Sequence, residues 1–205
     1  MQATDIYGWL MAGSAGGECD QFDAHVVASI LALSLVQARE RSVPLAQLTG
    51  LGGRDMVELV GRTLPGAKDR FERLAEMPAP EMDATEAALR DLLRRGNCSD
   101  DAAWGQLLAA LIARRAMEHN HLWQDLGLRH RRELSWLLER HFEPLARRNS
   151  ADMKWKKFFF RLICRDEGYS ICTTPVCDEC DDFDQCFGEE DGESLLARIA
   201  AGKAA

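Results

Sequence analysis

The chain has 205 residues, 46% of them hydrophobic, and a formal net charge of −8. That length and apolar share suffice for one sizeable core, while the acidic balance argues against nucleic acid as the main ligand, because duplex affinity comes largely from Lys and Arg neutralising phosphates. No apolar run approaches the roughly 20 residues needed to span a bilayer and Met1 to Leu10 lacks the basic start of a signal peptide, so a cytoplasmic protein with reduced thiols is expected.

Taken in order, Asp5 to Ala12 predicts a short helix that the run Gly13 to Gly17 ends. Asp23 to Arg41 is apolar nearly all round (Val26, Val27, Ile30, Leu31, Leu33, Leu35), the pattern of a largely buried helix, and Pro44 closes it. Between Leu45 and Leu64, two short helices joined through Gly50, Gly52 and Gly53 are expected. Ala46, Gly50 and the Met56-Val57 pair also sit near helix-turn-helix positions. Arg54 to Arg62 contains Asp55 and Glu58, however, and lacks the basic stripe of a recognition helix.

Pro65-Gly66 starts a further helical stretch to Met77, and Pro78-Ala79-Pro80 is a stiff connector. A helix begins at Asp83, presents Leu89, Leu92 and Leu93 on one face, and stops at Gly96. Ser99 or Asp100 then caps a helix carrying Trp104, Leu107, Leu108, Leu111 and Ile112. His119, Asn120, His121 and Asp125 cluster after it. A histidine near a helix end serves as a cap or dipole partner, or as a metal ligand. His130 and His141 frame the next helix, with Leu134, Trp136, Leu137, Leu138 and Phe142, and read as surface or capping residues.

The helix predicted from Met153 to about Arg165 separates two faces at about 100° per residue. Trp155, Phe158, Phe159, Leu162 and Ile163 form an apolar face, and Lys154, Lys157, Arg161 and Arg165 form an adjacent basic stripe with Cys164 at its edge. The stripe is expected either in solvent or beside the segment that follows. A short amphipathic helix from Ser194 to Ala201 closes the chain. No phosphate-cradling glycine motif, and no Ser-His-Asp, Cys-His or carboxylate-pair constellation, argues for catalysis.

That following segment contains Cys172, Cys177, Cys180 and Cys186, four cysteines in fifteen residues spaced C-x4-C-x2-C-x5-C. Soft thiolates packed this closely suit a single metal centre. An iron–sulfur cluster draws ligands from one contiguous run, whereas zinc sites usually pair two knuckles separated by a dozen or more residues. A zinc-stabilised helical adaptor or regulatory protein is therefore the alternative. Disulfides fit poorly, since seven cysteines leave one unpaired. From Asp166 through Glu193 there are eleven Asp or Glu and no Lys or Arg. Such a field raises thiol pKa values until a bound cation reverses the balance. The expected fold is all-α: a multi-helix bundle-like domain over 1–165, then an irregular cysteine-rich metal-binding segment over 166–205 with the short terminal helix.

Three blocks resemble the NifQ family, which works in assembling the molybdenum cofactor of nitrogenase. They are the run from His121 to Leu128 (HLWQDLGL), the run from Met153 to Phe159 (MKWKKFF), and the cysteine loop followed by Phe187-Gly188. The resemblance is specific over roughly the last 90 residues. It implies that Cys172, Cys177, Cys180 and Cys186 hold an iron–sulfur cluster able to incorporate molybdenum, with His121 as the first non-cysteine candidate ligand. It also implies a metal carrier rather than a turnover enzyme, whose partners are the cofactor scaffold complex and the nitrogenase iron protein, with molybdate or a sulfur-ligated molybdenum species as cargo.

Overall fold

The computed structural model describes residues 2–166, 183–187, 190 and 192–200. Among them it forms thirteen α-helices and one 3-10 turn, with no strand. The centre is α2 (Gln21–Arg41), which begins where Asp20 accepts the Phe22 and Asp23 N–H groups at 3.0 Å, and ends at Ser42 in the left-handed region. Val26, Val27, Ile30, Leu31 and Leu33 are all fully buried, as the all-round apolar pattern predicts.

By length and composition alone α2 is long and apolar enough to span a bilayer, contrary to the expectation that no run reaches that threshold. Its apolar stretch is instead mostly buried against protein. The helices α1 (Ala3–Ala12), α3 (Leu45–Thr49), α4 (Gly53–Thr63) and, from the far end of the chain, α13 (Leu195–Ala200) pack on it.

A second layer pairs α6 (Ala84–Gly96) with α7 (Ala102–Ala116). Glu86 of α6 is 2% exposed, and Arg90 and Arg114 hold its carboxylate at 2.8 and 2.9 Å. Arg90 also donates to the Gly50 carbonyl at 2.6 Å, so this ion cluster ties α6 and α7 to the α3–α4 turn. Gly50 turns there at φ 72, where a Cβ would lie 2.4 Å from Arg90; only glycine satisfies both the backbone angle and the contact.

Local readings are corrected in three places, at the α7 cap, after Pro65 and at His141. The helix α7 is capped by Asp101 rather than Ser99 or Asp100: Asp101 accepts the Ala103 and Trp104 N–H groups and is ion-paired to Arg62. The stretch after Pro65 divides into a 3-10 turn (Pro65–Ala67) and α5 (Lys68–Glu72). Trp136, on α9 (Arg131–His141), is 45% exposed with Arg132 stacked over its ring. His141 is buried, at 6%. After α10 (Glu143–Ala146), α11 (Trp155–Asp166) lies against α6.

Candidate metal centre

The helix that leads into the cysteine segment is α11, and its start is set by the loop before it. Asn149 accepts the Met153 N–H at 2.9 Å and donates to the Met153 carbonyl at 2.8 Å, closing a tight ring. Arg131 braces the same turn by donating to Asp152 and to the Met153 carbonyl. From there the predicted apolar face is buried: Trp155, Phe158, Phe159, Leu162 and Ile163 are each at most 8% exposed.

The basic side divides. Lys154 meets α12 (Phe183–Phe187): its backbone N–H donates to the Cys186 carbonyl at 2.8 Å, and its ammonium donates to the Asp184 carbonyl at 2.8 Å. Lys157 is exposed and Cys164 half-buried. Lys156, which belongs to neither predicted face, is half-buried, with its side chain 17% exposed.

His121 caps α8 (Leu122–Asp125), where its N–H donates to Gln124 at 3.3 Å. Its Nδ1 lies 3.3 Å from Glu190, and Arg131 Nε lies 2.8 Å from the other oxygen of the same carboxylate. The Arg131 contact is an ion pair whose angle falls outside hydrogen-bond geometry. Gln124 donates to the Glu193 carbonyl at 3.0 Å. Chain on the C-terminal side of Cys186 is thus fastened to α8 and α9, while Cys186 itself is fastened to the start of α11. Cys186 is half-buried on α12. Cys172, Cys177 and Cys180 lie outside the described residues, and among the described residues no three His, Cys, Asp or Glu side chains group as metal ligands.

Beneath these anchors runs a buried polar network. Asp125, fully buried, receives Lys156 at 2.5 Å and Asn120 at 3.0 Å. Lys156 also donates to the Glu118 carbonyl at 2.6 Å, and Arg41 grips the Glu118 carboxylate with both nitrogens at 2.7 and 2.9 Å. Arg115, fully buried, donates to the Asp125 carbonyl at 2.6 Å and to Gln37 at 2.8 Å. Burial pushes the Arg115 guanidinium down to about 10, and it lowers the Lys156 ammonium against the opposing pull of Asp125. Burial raises the Glu118 carboxyl, but the Arg41 fork and the Arg115 charge outweigh it and hold the group below its ordinary value. Two blocks thirty residues apart in sequence are thereby locked together through Lys156 and Asp125.

Two further networks join distant segments. His25 Nδ1 bonds Tyr7 at 2.8 Å, and its Nε2 faces Glu133 at 3.3 Å. Ser99 bonds His141 Nδ1 at 2.9 Å while Asp23 meets His141 Nε2 at 2.9 Å. This Ser-His-Asp row is a structural tie: Asp23 is also clamped by Arg140, and the His141 carbonyl accepts the Cys98 N–H. Sequence reading missed both because the partners lie 18 to 118 positions apart.

The remaining cysteines differ in environment. Burial, then the Asp23 charge, pushes the Cys19 thiol up to about 11, which leaves roughly one molecule in 10,000 as thiolate at neutral pH. Cys98 is exposed and accepts the Glu143 N–H at 3.4 Å. Brief iodoacetamide treatment of the native protein at pH 7 is therefore expected to label Cys98 and spare Cys19, as read by peptide mass spectrometry. Equal labelling of the two would contradict this assignment.

Comparison with known proteins extends the likeness well beyond the three blocks. A family model described as NifQ matches residues 26–188, from α2 to just past Cys186, so the relationship is not confined to the C-terminal half. The protein described as "Protein NifQ homolog" of Sinorhizobium fredii (strain NBRC 101917 / NGR234) is 40% identical over 173 residues, which is 84% of this chain and 75% of that protein. "Protein NifQ" of Rhodobacter capsulatus is 38% identical over 82% of this chain and 91% of its own length. "Protein NifQ" of Azotobacter vinelandii is 39% identical over 58% of each. No solved structure matches the chain.

Proposed function

The chain belongs to the NifQ family, a family of nitrogenase cofactor maturation, and from that premise we propose that it carries molybdenum within a molybdenum–iron–sulfur cluster and hands it to cofactor assembly. The observation that carries this reading is the convergence of the three family-like blocks. Lys156 joins the second block to Asp125 of the first, and Lys154 joins the second to Cys186 of the third. Each is held by backbone or buried polar contacts.

The donor set suits such a cargo. Four thiolates within fifteen residues are soft ligands that hold iron and reduced molybdenum. Free molybdate is a hard oxyanion, and the stretch from Asp166 to Glu193 carries eleven carboxylates and no Lys or Arg, so retention through sulfur fits this segment better than retention through oxygen. A cuboidal cluster with three iron corners needs only three thiolates for iron, and the fourth then holds molybdenum or guards the corner from which it leaves. In this reading His121, turned toward Glu190 and Arg131, tunes or caps the site's edge. The proposed recipients are the scaffold complex on which the nitrogenase cofactor is built and the nitrogenase iron protein.

Anaerobic purification followed by elemental analysis tests the proposal. Brown protein containing iron and sulfide, with molybdenum acquired on supply, is the expected result. Colourless protein with stoichiometric zinc and no iron, even after anaerobic reconstitution, would overturn it in favour of a zinc-stabilised adaptor.

A further inference from the structure

The outer side of α9 carries an aromatic and cationic stripe. Arg132, Trp136 and Arg140 recur every four residues at exposed positions, so they share one side of the helix. Trp136 is one of two large hydrophobic side chains that stand exposed among the described residues. Its ring is held in place: Phe22 and His130 meet it edge-on at 6.2 and 6.3 Å between ring centroids, and the Arg132 guanidinium lies 5.4 Å from its centre. Arg140 sits over Phe22 at 5.7 Å and is itself paired with Asp20 and Asp23. At the start of α9 the run Arg129-His130-Arg131-Arg132 adds further basic groups in a chain of net charge −8. Arg131 turns to Asp152 and Glu190, whereas Arg129, His130 and Arg132 are exposed.

A cavity of ≈520 Å3 adjoins this stripe. Phe22 links the two, because its ring lies 6.5 Å from that of His25, which lines the cavity. Tyr7, Ser29, Leu196 and Ala197 form more of the wall, and Arg129, next in sequence to His130, stands in it as well. The two parts select different chemistry. Trp and Arg dominate the energetic centres of protein–protein interfaces, and stacking has already ordered these side chains, so contact costs little further rotamer entropy. Guanidinium groups around the ring match carboxylates. The cavity lining instead joins apolar Leu196 and Ala197 to ring and hydroxyl groups and includes the Glu193 carboxylate, which disfavours an anion inside. An apolar side chain suits the cavity, and carboxylates suit the stripe. A membrane suits the surface less well, because a net charge of −8 opposes approach to anionic lipid and the exposed ring is pinned between Phe22 and Arg132.

We propose that the α9 stripe and the adjoining cavity form a docking surface for an acidic peptide segment of a partner protein. An apolar anchor side chain of that segment enters the cavity, while its carboxylates meet Arg129 and Arg132 across the face of Trp136. The surface stands on the aromatic cluster, the basic run and the cavity, and is independent of the cargo proposed above.

The test is selection of a randomised peptide library, displayed on phage, against the full-length protein, followed by fluorescence anisotropy with the enriched peptides resynthesised and labelled. Enrichment of Asp and Glu around an aliphatic or aromatic residue is the expected result. Trp136→Ala and Arg132→Glu are each expected to weaken those peptides about tenfold or more, the loss associated with an interface hot spot. Ala197→Trp, at an exposed position in the cavity wall, should weaken them similarly by occupying the anchor's seat. Lys157→Ala, exposed on α11, should leave them unchanged. Thermal melting of every variant checks that the fold is retained. No enrichment, or enriched peptides indifferent to Trp136 and Arg132, overturns the docking surface, and a neutral or basic consensus overturns the acidic partner. Unchanged affinity in Ala197→Trp overturns the cavity as the anchor's seat. Two controls address other occupants: sedimentation with phosphatidylglycerol vesicles, and sedimentation velocity over a range of protein concentrations. Vesicle binding that Trp136→Ala abolishes overturns the peptide in favour of a membrane, and self-association that Trp136→Ala abolishes overturns it in favour of a second copy of this chain.

Discussion

Replacing Asp125 by alanine is expected to lower the unfolding free energy by about 3–5 kcal/mol, the range for removing one partner of a buried ion pair. The carboxylate is fully buried, and its loss strands Lys156, whose side chain is 17% exposed, beside the fully buried Arg115. Among the described residues Arg115 Nη1 has no hydrogen-bond partner, so no spare acceptor there stands ready to compensate. Against a typical total of roughly 5–15 kcal/mol, the variant should be largely unfolded well below the native melting temperature. Urea denaturation followed by circular dichroism measures this directly. A loss under about 1 kcal/mol, the worth of an exposed pair, would mean that the network is not the tie between α8 and α11. Asp125→Asn keeps acceptors for Lys156 and Asn120 but removes the charge, and should fall between native and alanine.

Single alanine replacements of Cys172, Cys177, Cys180 and Cys186 are expected to cut bound iron by more than the roughly 10–100-fold associated with loss of a mere supporting group. Cys186 is the informative member. Its carbonyl accepts the Lys154 N–H, a backbone bond that alanine preserves. Cys186→Ala should therefore lose iron while its melting temperature without metal stays near the native value. Cys19→Ala, Cys98→Ala and Cys164→Ala should keep their iron. The measurement is iron per polypeptide after anaerobic reconstitution, together with the visible absorbance of the cluster. Full iron retention in Cys186→Ala would remove it from the ligand set, and retention in all four would sink the cluster assignment.

The helices were legible where the signal is local. Apolar periodicity located α2, α6 and the buried face of α11, and Asp83 caps α6 by accepting the Glu86 N–H. Legibility failed where a partner arrives from far along the chain. Ser99, Asp100 and Asp101 are equally good caps by type, and Asp101 is the one that Arg62 of α4 approaches. His141 sits among the charges of a last helical turn and looks exposed, yet Asp23 reaches it from 118 positions away. Lys156 falls outside both predicted faces, and nothing near it in sequence announces Asp125.

The candidate site divides in the same way. Its thiolates stand out by spacing, since four soft ligands in fifteen residues are a local signal. Its supports do not, because the Lys154 to Cys186 and His121 to Glu190 contacts exist only once the chain has folded back on itself.

The central position of α2 has a consequence for biosynthesis. The ribosome delivers this largely buried helix early, whereas α13, which covers part of it, follows much later. At elongation rates of roughly 5–20 residues per second the interval is about 10–30 s. During that time a membrane-grade apolar surface lacks its final cover, so the nascent chain is a natural client for chaperones that shield exposed helices. Loss of α13 would reach back to α2, and the damage would appear as aggregation during synthesis.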